Sequence, residues 1–270
     1  MQTLILGQRS NLSRHLARAW PHAVAFPASA LLAGEPLPID RSAPLRVVIN
    51  SFQPATRLRD VSDPVGFVAR SIGATAQPLD MLTDADVTRL LYTSSAAVYG
   101  DNVECREQDR PRAAGLHAGL KVANEDLVLR VGHDRGIRAT VVRLFNMYGG
   151  DDPFSVVSKI VVAAREGHTL TLANGGNAIR DFVHIDDVVH AYTALLATDA
   201  PDIVNVASGV GVSVRSLLDA LELRGVEVRT ESFPRDEIRV STASVDRLAR
   251  HVDVTRFRRA VDWVVEEVTR

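Results

Sequence analysis

The chain is poor in cysteine, lysine, net charge and long apolar runs, and each shortage excludes a class of protein. A single cysteine, Cys105, leaves no internal disulfide framework and no cysteine-based zinc site, and no metal site is read from the sequence. A formal net charge of −2 over 270 residues provides no broad basic surface for nucleic acid or an anionic membrane. No apolar run approaches the roughly 18 residues of a membrane span. The opening stretch MQTLILGQR meets a glycine too early to serve as a signal peptide. The cytoplasm is the compartment expected by default. Lysine occurs only as Lys121 and Lys159 amid many arginines, a bias expected of GC-rich coding, so a lysine at a motif position carries weight.

What is present fits an ordinary globular protein: 46% hydrophobic and 24% charged residues, with length for one large domain or two closely joined ones. Short apolar runs alternate with helical periodicity, the pattern of βαβ units. TLIL (Thr3 to Leu6), AVAF, LRVVIN (Leu45 to Asn50), RLLYTSS (Arg89 to Ser95), ATVVRLFN (Ala139 to Asn146) and DIVNVAS (Asp202 to Ser208) read as strands. FVARSIGATAQPLDML and the C-terminal RFRRAVDWVVEEVTR read as helices. The expected fold is α/β, a Rossmann-like doubly wound parallel sheet with a smaller C-terminal substrate domain. Residues 1–148 form the cofactor domain, 182–212 return to it, and 149–181 with 213–270 form the substrate domain.

A strand, a glycine turn and a helix make a phosphate-binding arrangement, because backbone N–H groups and the helix dipole meet the pyrophosphate there. GQRSNLS fits in part. Gly7 is present, while Ser10 and Ser13 occupy the next two glycine positions. Candidate cofactor contacts are Gly7, Arg9, Ser10, Asn11 and Leu12 on this turn, Asn50 and Ser51 after the third strand, and Lys121. The second strand ends AFPAS, without the carboxylate that would bind the ribose hydroxyls of NAD. Arg9 could instead grip a 2′-phosphate bidentately. Both features point to NADP(H) over NAD(H).

From LLYTSSAAVYG onward, five segments resemble, in order, those of the extended short-chain dehydrogenase/reductase family, the NAD-dependent epimerase/dehydratase group. HAGLKVANEDLV resembles its Tyr-x-x-x-Lys helix, with His117 where the tyrosine belongs. VVRLFNMYGG, RDFVHIDDVVHAY and VNVASGVGVSVRSLL resemble its later segments. The resemblance implies that Ser95 polarises a substrate carbonyl. It implies that Lys121 holds the nicotinamide ribose and lowers the neighbouring acid's pKa, and that His117 falls on the proton-transferring position. It makes Asn146 and Arg180 contacts of a substrate diphosphate, with Ser95 and Ala96 also at the substrate. His184, Asp187, Tyr99 and Tyr148 take supporting roles. The expected partner is a small-molecule substrate, and homodimers are common in the family.

The departures filter the chemistry. Dehydrating members need an acid/base pair immediately after the serine, and Ala96 and Ala97 move no protons. A 4-epimerase moves a proton in each direction, which the missing tyrosine impairs. One-way reduction needs only a proton for the alkoxide, and a nearby Lys121 favours neutral imidazole at His117. Taken together, the departures resemble atypical members that reduce ketones of aromatic polyketides (angucyclinone-type). The expected function is therefore an NADPH-dependent ketoreductase of a secondary metabolite. The alternatives are a nucleotide-sugar 4-ketoreductase or epimerase, and a non-catalytic binding or scaffold protein. Retention of both Ser95 and Lys121 counts against the last.

Overall fold

Apolar runs rich in Val, Ile and Leu become strands that are buried on both faces of a parallel sheet. The computed structural model describes residues 1–50, 62–150 and 152–270. β1 (Gln2–Leu6), β2 (Ala23–Phe26), β3 (Leu45–Ile49) and β4 (Val87–Ser95) run parallel to one another. With β6 (Arg138–Leu144) and β10 (Ile203–Val206) they form a six-stranded sheet in the order β10-β6-β4-β3-β1-β2. Leu4, Ile5, Leu6, Val47, Val48 and Ile49 are wholly buried in it. This is the Rossmann-like α/β architecture expected. Among the described residues the sheet ends at β2, in keeping with the short interval between the first and third strands.

Helices cover both faces, and strand alternation shows which residue meets which helix. Lys121 and Glu125 of α5 (Leu116–Asp134) reach Tyr92 and Ser94 on one face of β4. On the opposite face the Thr93 hydroxyl shares a 2.8 Å hydrogen bond with Tyr192 of α7 (Ile185–Ala197). Gly132 lets α5 lie close to the sheet, since a Cβ there would stand 2.7 Å from Cβ of Ala139. The helical reading from Phe67 to Leu82 resolves into α3 (Pro64–Val68), a π turn (Ala69–Gly73) and α4 (Ala74–Met81). Pro78 sits inside α4, where its missing N–H forgoes a helical bond. The other helices of this part are α1 (Asn11–Ala19) and α2 (Ala28–Leu32).

The chain divides into two units. The first holds Met1–Val98, Pro111–Arg143 and Tyr192–Val204; the second holds Tyr99–Arg110, Leu144–Ala191 and Asn205–Arg270. The return to the first unit is thus shorter than the 182–212 expected, and residues 99–110 join the second. Strand pairing gives the reason. β9 (Ile179–His184) pairs with β7 (Asn146–Tyr148), β11 (Gly211–Ser213) and β13 (Val240–Ala243), while β5 (Asn102–Cys105) pairs with β13. All of these strands belong to the second unit. Its core includes Tyr148, Ile160, Leu217, Leu221 and Val264. They come from β7, α6 (Val156–Glu166), α8 (Val214–Glu222) and α9 (Ala260–Thr269). A two-stranded sheet of β8 (Leu170–Ala173) and β12 (Thr230–Phe233) completes the unit.

Candidate active site

The turn after β1 is built around Gly7, whose φ of 100° a side chain would oppose. The N–H groups of Gly7 and Gln8 donate to the Phe26 carbonyl at 3.0 and 3.3 Å, tying the turn to the end of β2. The serines at the later glycine positions have work of their own. Ser10 caps α1, its Oγ accepting from the Ser13 N–H at 3.0 Å and donating to Ser13 Oγ at 2.9 Å. Asn50 Nδ2 donates to both hydroxyls, at 2.7 and 2.9 Å, locking the end of β3 to the start of α1. Close helix packing through glycine is replaced here by a buried polar knot. Asn50 is buried, and its Oδ1 accepts no hydrogen bond among the described residues.

These features suit a nicotinamide dinucleotide. The left-handed Gly7, the positive end of α1 at Asn11 and Leu12, and the open acceptor of Asn50 are what a pyrophosphate and its ribose would meet. β2 ends at Phe26 and runs into Pro27, without a carboxylate. Arg9 is exposed with no ion pair among the described residues, and Arg14 braces the turn by donating to the Arg9 carbonyl at 2.9 Å. Ser51 lies outside the described residues.

Lys121 lies 5% exposed on α5, and its ammonium donates to the Thr93 carbonyl at 2.8 Å and to the Tyr92 hydroxyl at 3.3 Å. Burial lowers its pKa to about 7, with Glu125 working in the opposite direction. Glu125 is itself clamped. It accepts from the Ser94 hydroxyl and from Arg143, whose Nη2 donates at 2.7 Å, with both side chains 3% exposed. This network and Tyr92 were missed in the sequence. Alternation along β4, which puts Tyr92 and Ser94 on one face, was the available signal.

Ser95 ends β4 on the opposite face, half-buried, and its Oγ accepts from the Ala97 N–H at 3.2 Å. The hydroxyl proton is then free to point at a substrate oxygen. Ala96 opens a short 3₁₀ turn (Ala96–Tyr99) and is 7% exposed. His117 occupies the first turn of α5, behind Gly115 with φ 94°. Burial, with Lys121 adding to it, holds the imidazole below its usual range. Both influences favour the neutral imidazole at this place.

Ser95, His117 and Lys121 fall in the first unit, whereas Asn146 and Arg180 fall in the second. Asn146 Nδ2 donates to the Asp181 carbonyl at 3.2 Å. Arg180 donates to the Ile179 carbonyl at 2.9 Å and to Glu237 at 3.3 Å. Burial lowers the Arg180 pKa, with Glu237 and Asp101 opposing. His184 accepts from the Asp186 N–H at 3.2 Å, and Asp187 accepts from the Arg258 N–H at 2.8 Å. Tyr99 and Tyr148 are buried, with hydroxyls donating to Asn205 and to the Arg258 carbonyl. All four make contacts that brace the second unit.

Comparison with known proteins gives a consistent result. A family model described as "NAD dependent epimerase/dehydratase family" matches residues 39–207. Protein CapI of Staphylococcus aureus is 24% identical over 256 residues, 82% of this chain and 76% of that protein. The structure of UDP-glucuronic acid 4-epimerase from Bacillus cereus, solved with UDP-glucuronic acid and NAD, is 18% identical with a TM-score of 0.83, covering 100% of this chain and 98% of that one. RMD from Pseudomonas aeruginosa, solved with NADPH, is 24% identical with a TM-score of 0.83, covering 100% and 98%.

Proposed function

Because the chain belongs to the NAD dependent epimerase/dehydratase family, we propose that it is a nicotinamide-dependent ketone reductase acting on a nucleotide-activated keto sugar, with NADP(H) preferred over NAD(H). One observation carries the reaction type. Ser95 and Lys121 are retained, while the residues that would carry protons in both directions are Ala96, Ala97 and a neutral His117. That set suits a carbonyl reduced in one direction better than epimerisation or dehydration.

When bound, the dinucleotide supplies a hydride to the carbonyl carbon. The chain supplies the rest. The turn from Gly7 to Leu12 holds the phosphates, the open acceptor of Asn50 takes a ribose hydroxyl, and Arg9 takes the 2′-phosphate. The Ser95 hydroxyl donates to the carbonyl oxygen, where negative charge develops. Lys121, with a pKa of about 7, is suited to lose and regain a proton near neutrality. His117 offers a neutral N–H for a hydrogen bond rather than an acidic proton.

The nucleotide-sugar substrate is supported by the relatives, which include UDP-glucuronate 4-epimerase of Thermodesulfobacterium geofontis at 24% identity over 213 residues. A second reading, an aromatic polyketide ketone, is favoured by the neutral His117, since a phenol beside the ketone would bring its own acid. Calorimetric titration with UDP, dTDP and GDP in saturating NADPH separates the two. Binding of a nucleoside diphosphate supports the sugar substrate. NADPH binding without any nucleoside diphosphate binding supports the polyketide. A chain that binds neither dinucleotide is not the proposed reductase.

A further inference from the structure

Two arginines lie side by side in the first unit's sheet. In the parallel register of β3 and β4, Arg46 is the partner of Arg89. Neighbouring strands are about 4.8 Å apart, and in-register residues present side chains to the same face. Like charges in that relation repel. Arg89 is only 6% exposed, yet its side chain makes no hydrogen bond or ion pair among the described residues. Nε of Arg46 is buried and has no hydrogen-bond partner among them either.

Strand parity identifies the face. Arg89 shares it with Thr93, whose hydroxyl bonds Tyr192 of α7. On β6, Arg143 points the other way, to Glu125 of α5, so Arg138 and Thr140 share the face of Arg89. Thr140 Oγ1 is also buried without a partner among the described residues. Arg138 meets one carboxylate, Asp199 just beyond α7, at 3.5 Å, with side chains 63% and 87% exposed. Burial and Arg138 lower the Arg89 pKa; Asp199 opposes them and Arg46 adds a smaller push. Three arginines thus share one face of the sheet, and the carboxylate of Asp199 meets only Arg138 among them.

We propose that Arg46, Arg89 and Arg138 form a binding site for an oxyanion of phosphate or sulfate size at the N-terminal edge of the parallel sheet. The dinucleotide turn at Gly7 follows the C-terminal end of β1, so the two sites occupy opposite edges. An oxyanion between planar guanidinium forks accepts charge-assisted hydrogen bonds and cancels the repulsion between them.

The test is thermal unfolding of the full chain in inorganic phosphate against sodium chloride of equal ionic strength, with NADPH saturating throughout. Saturating phosphate is expected to raise the parent's Tm by about 3–5 °C beyond chloride. Arg46→Gln should lose that rise while matching or exceeding the parent's Tm without phosphate, because the like-charge contact is gone. Arg138→Gln, at an exposed side chain, leaves the fold intact and should weaken phosphate about tenfold. No rise in the parent, or an equal rise in both variants, overturns the site.

Discussion

The ammonium of Lys121 donates to the hydroxyl of Tyr92 at 3.3 Å and stands 5.0 Å from the centre of its ring. A tyrosine thus meets the motif lysine, but from strand β4 rather than from one turn earlier on α5. Tyr92 is wholly buried on the face of β4 opposite Ser95, and burial pushes its hydroxyl pKa well up. Its place is to hold Lys121, with the Thr93 carbonyl, rather than to give a proton to substrate.

The buried lysine predicts a pH signature. Its folded pKa is about 7, against about 10.4 in an unfolded chain. Between these values the unfolded chain binds the proton that the folded chain has released, so stability rises with pH. Denaturant unfolding should show the parent gaining on Lys121→Met from pH 7 to pH 9.5. Parallel pH profiles would show that the lysine titrates as an exposed one.

Ser95 and His117 should separate in steady-state kinetics. Ser95→Ala removes the donor to the carbonyl oxygen and should lower kcat about 10²–10³-fold. His117→Phe should cost less than about tenfold, since a neutral imidazole supplies no acid worth the usual 10²–10⁴. Equal losses would make the histidine an essential proton donor.

Arg9 should decide between cofactors. Arg9→Ala is expected to weaken NADPH about tenfold, or 1.4 kcal/mol, and to leave NADH unchanged in fluorescence titration. Equal effects on both dinucleotides would remove Arg9 from the 2′-phosphate.

The buried Glu125–Arg143 pair should behave as a unit. Glu125→Leu takes the carboxylate from a guanidinium 3% exposed and should cost about 3–5 kcal/mol in denaturant unfolding. Glu125→Leu with Arg143→Met should recover most of it, because two apolar groups replace both charges. Additive losses would mean the two residues act independently.

Much of the fold was legible because burial of both sheet faces writes itself as apolar runs: β1, β3 and β4 fall within a residue or two of TLIL, LRVVIN and RLLYTSS in the sequence. Lys121 and Ser95 stood out as candidates only through the motifs that resemble the family's. Tyr92 was not, since its contact depends on how α5 lies on β4, a relation set by packing at places such as Gly132 and Ala139. Ser10 and Ser13 read as damaged glycine positions until Asn50, distant in sequence, joined them. The Arg46–Arg89 pairing needs strand register, which apolar patterning does not specify. The unit boundaries escaped because β5 and residues 99–110 leave the first unit through pairing with β13, more than a hundred residues later.

The most direct test of one-way reduction follows deuterium from the nicotinamide C4 of NADPH, with the hydride-side isotope identified beforehand, into a nucleotide-activated 4-keto sugar. The account predicts one NADPH oxidised for each product formed, with the label on the new carbinol carbon. Interconversion of two C4 epimers with catalytic dinucleotide, no net oxidation and no retained label would contradict it.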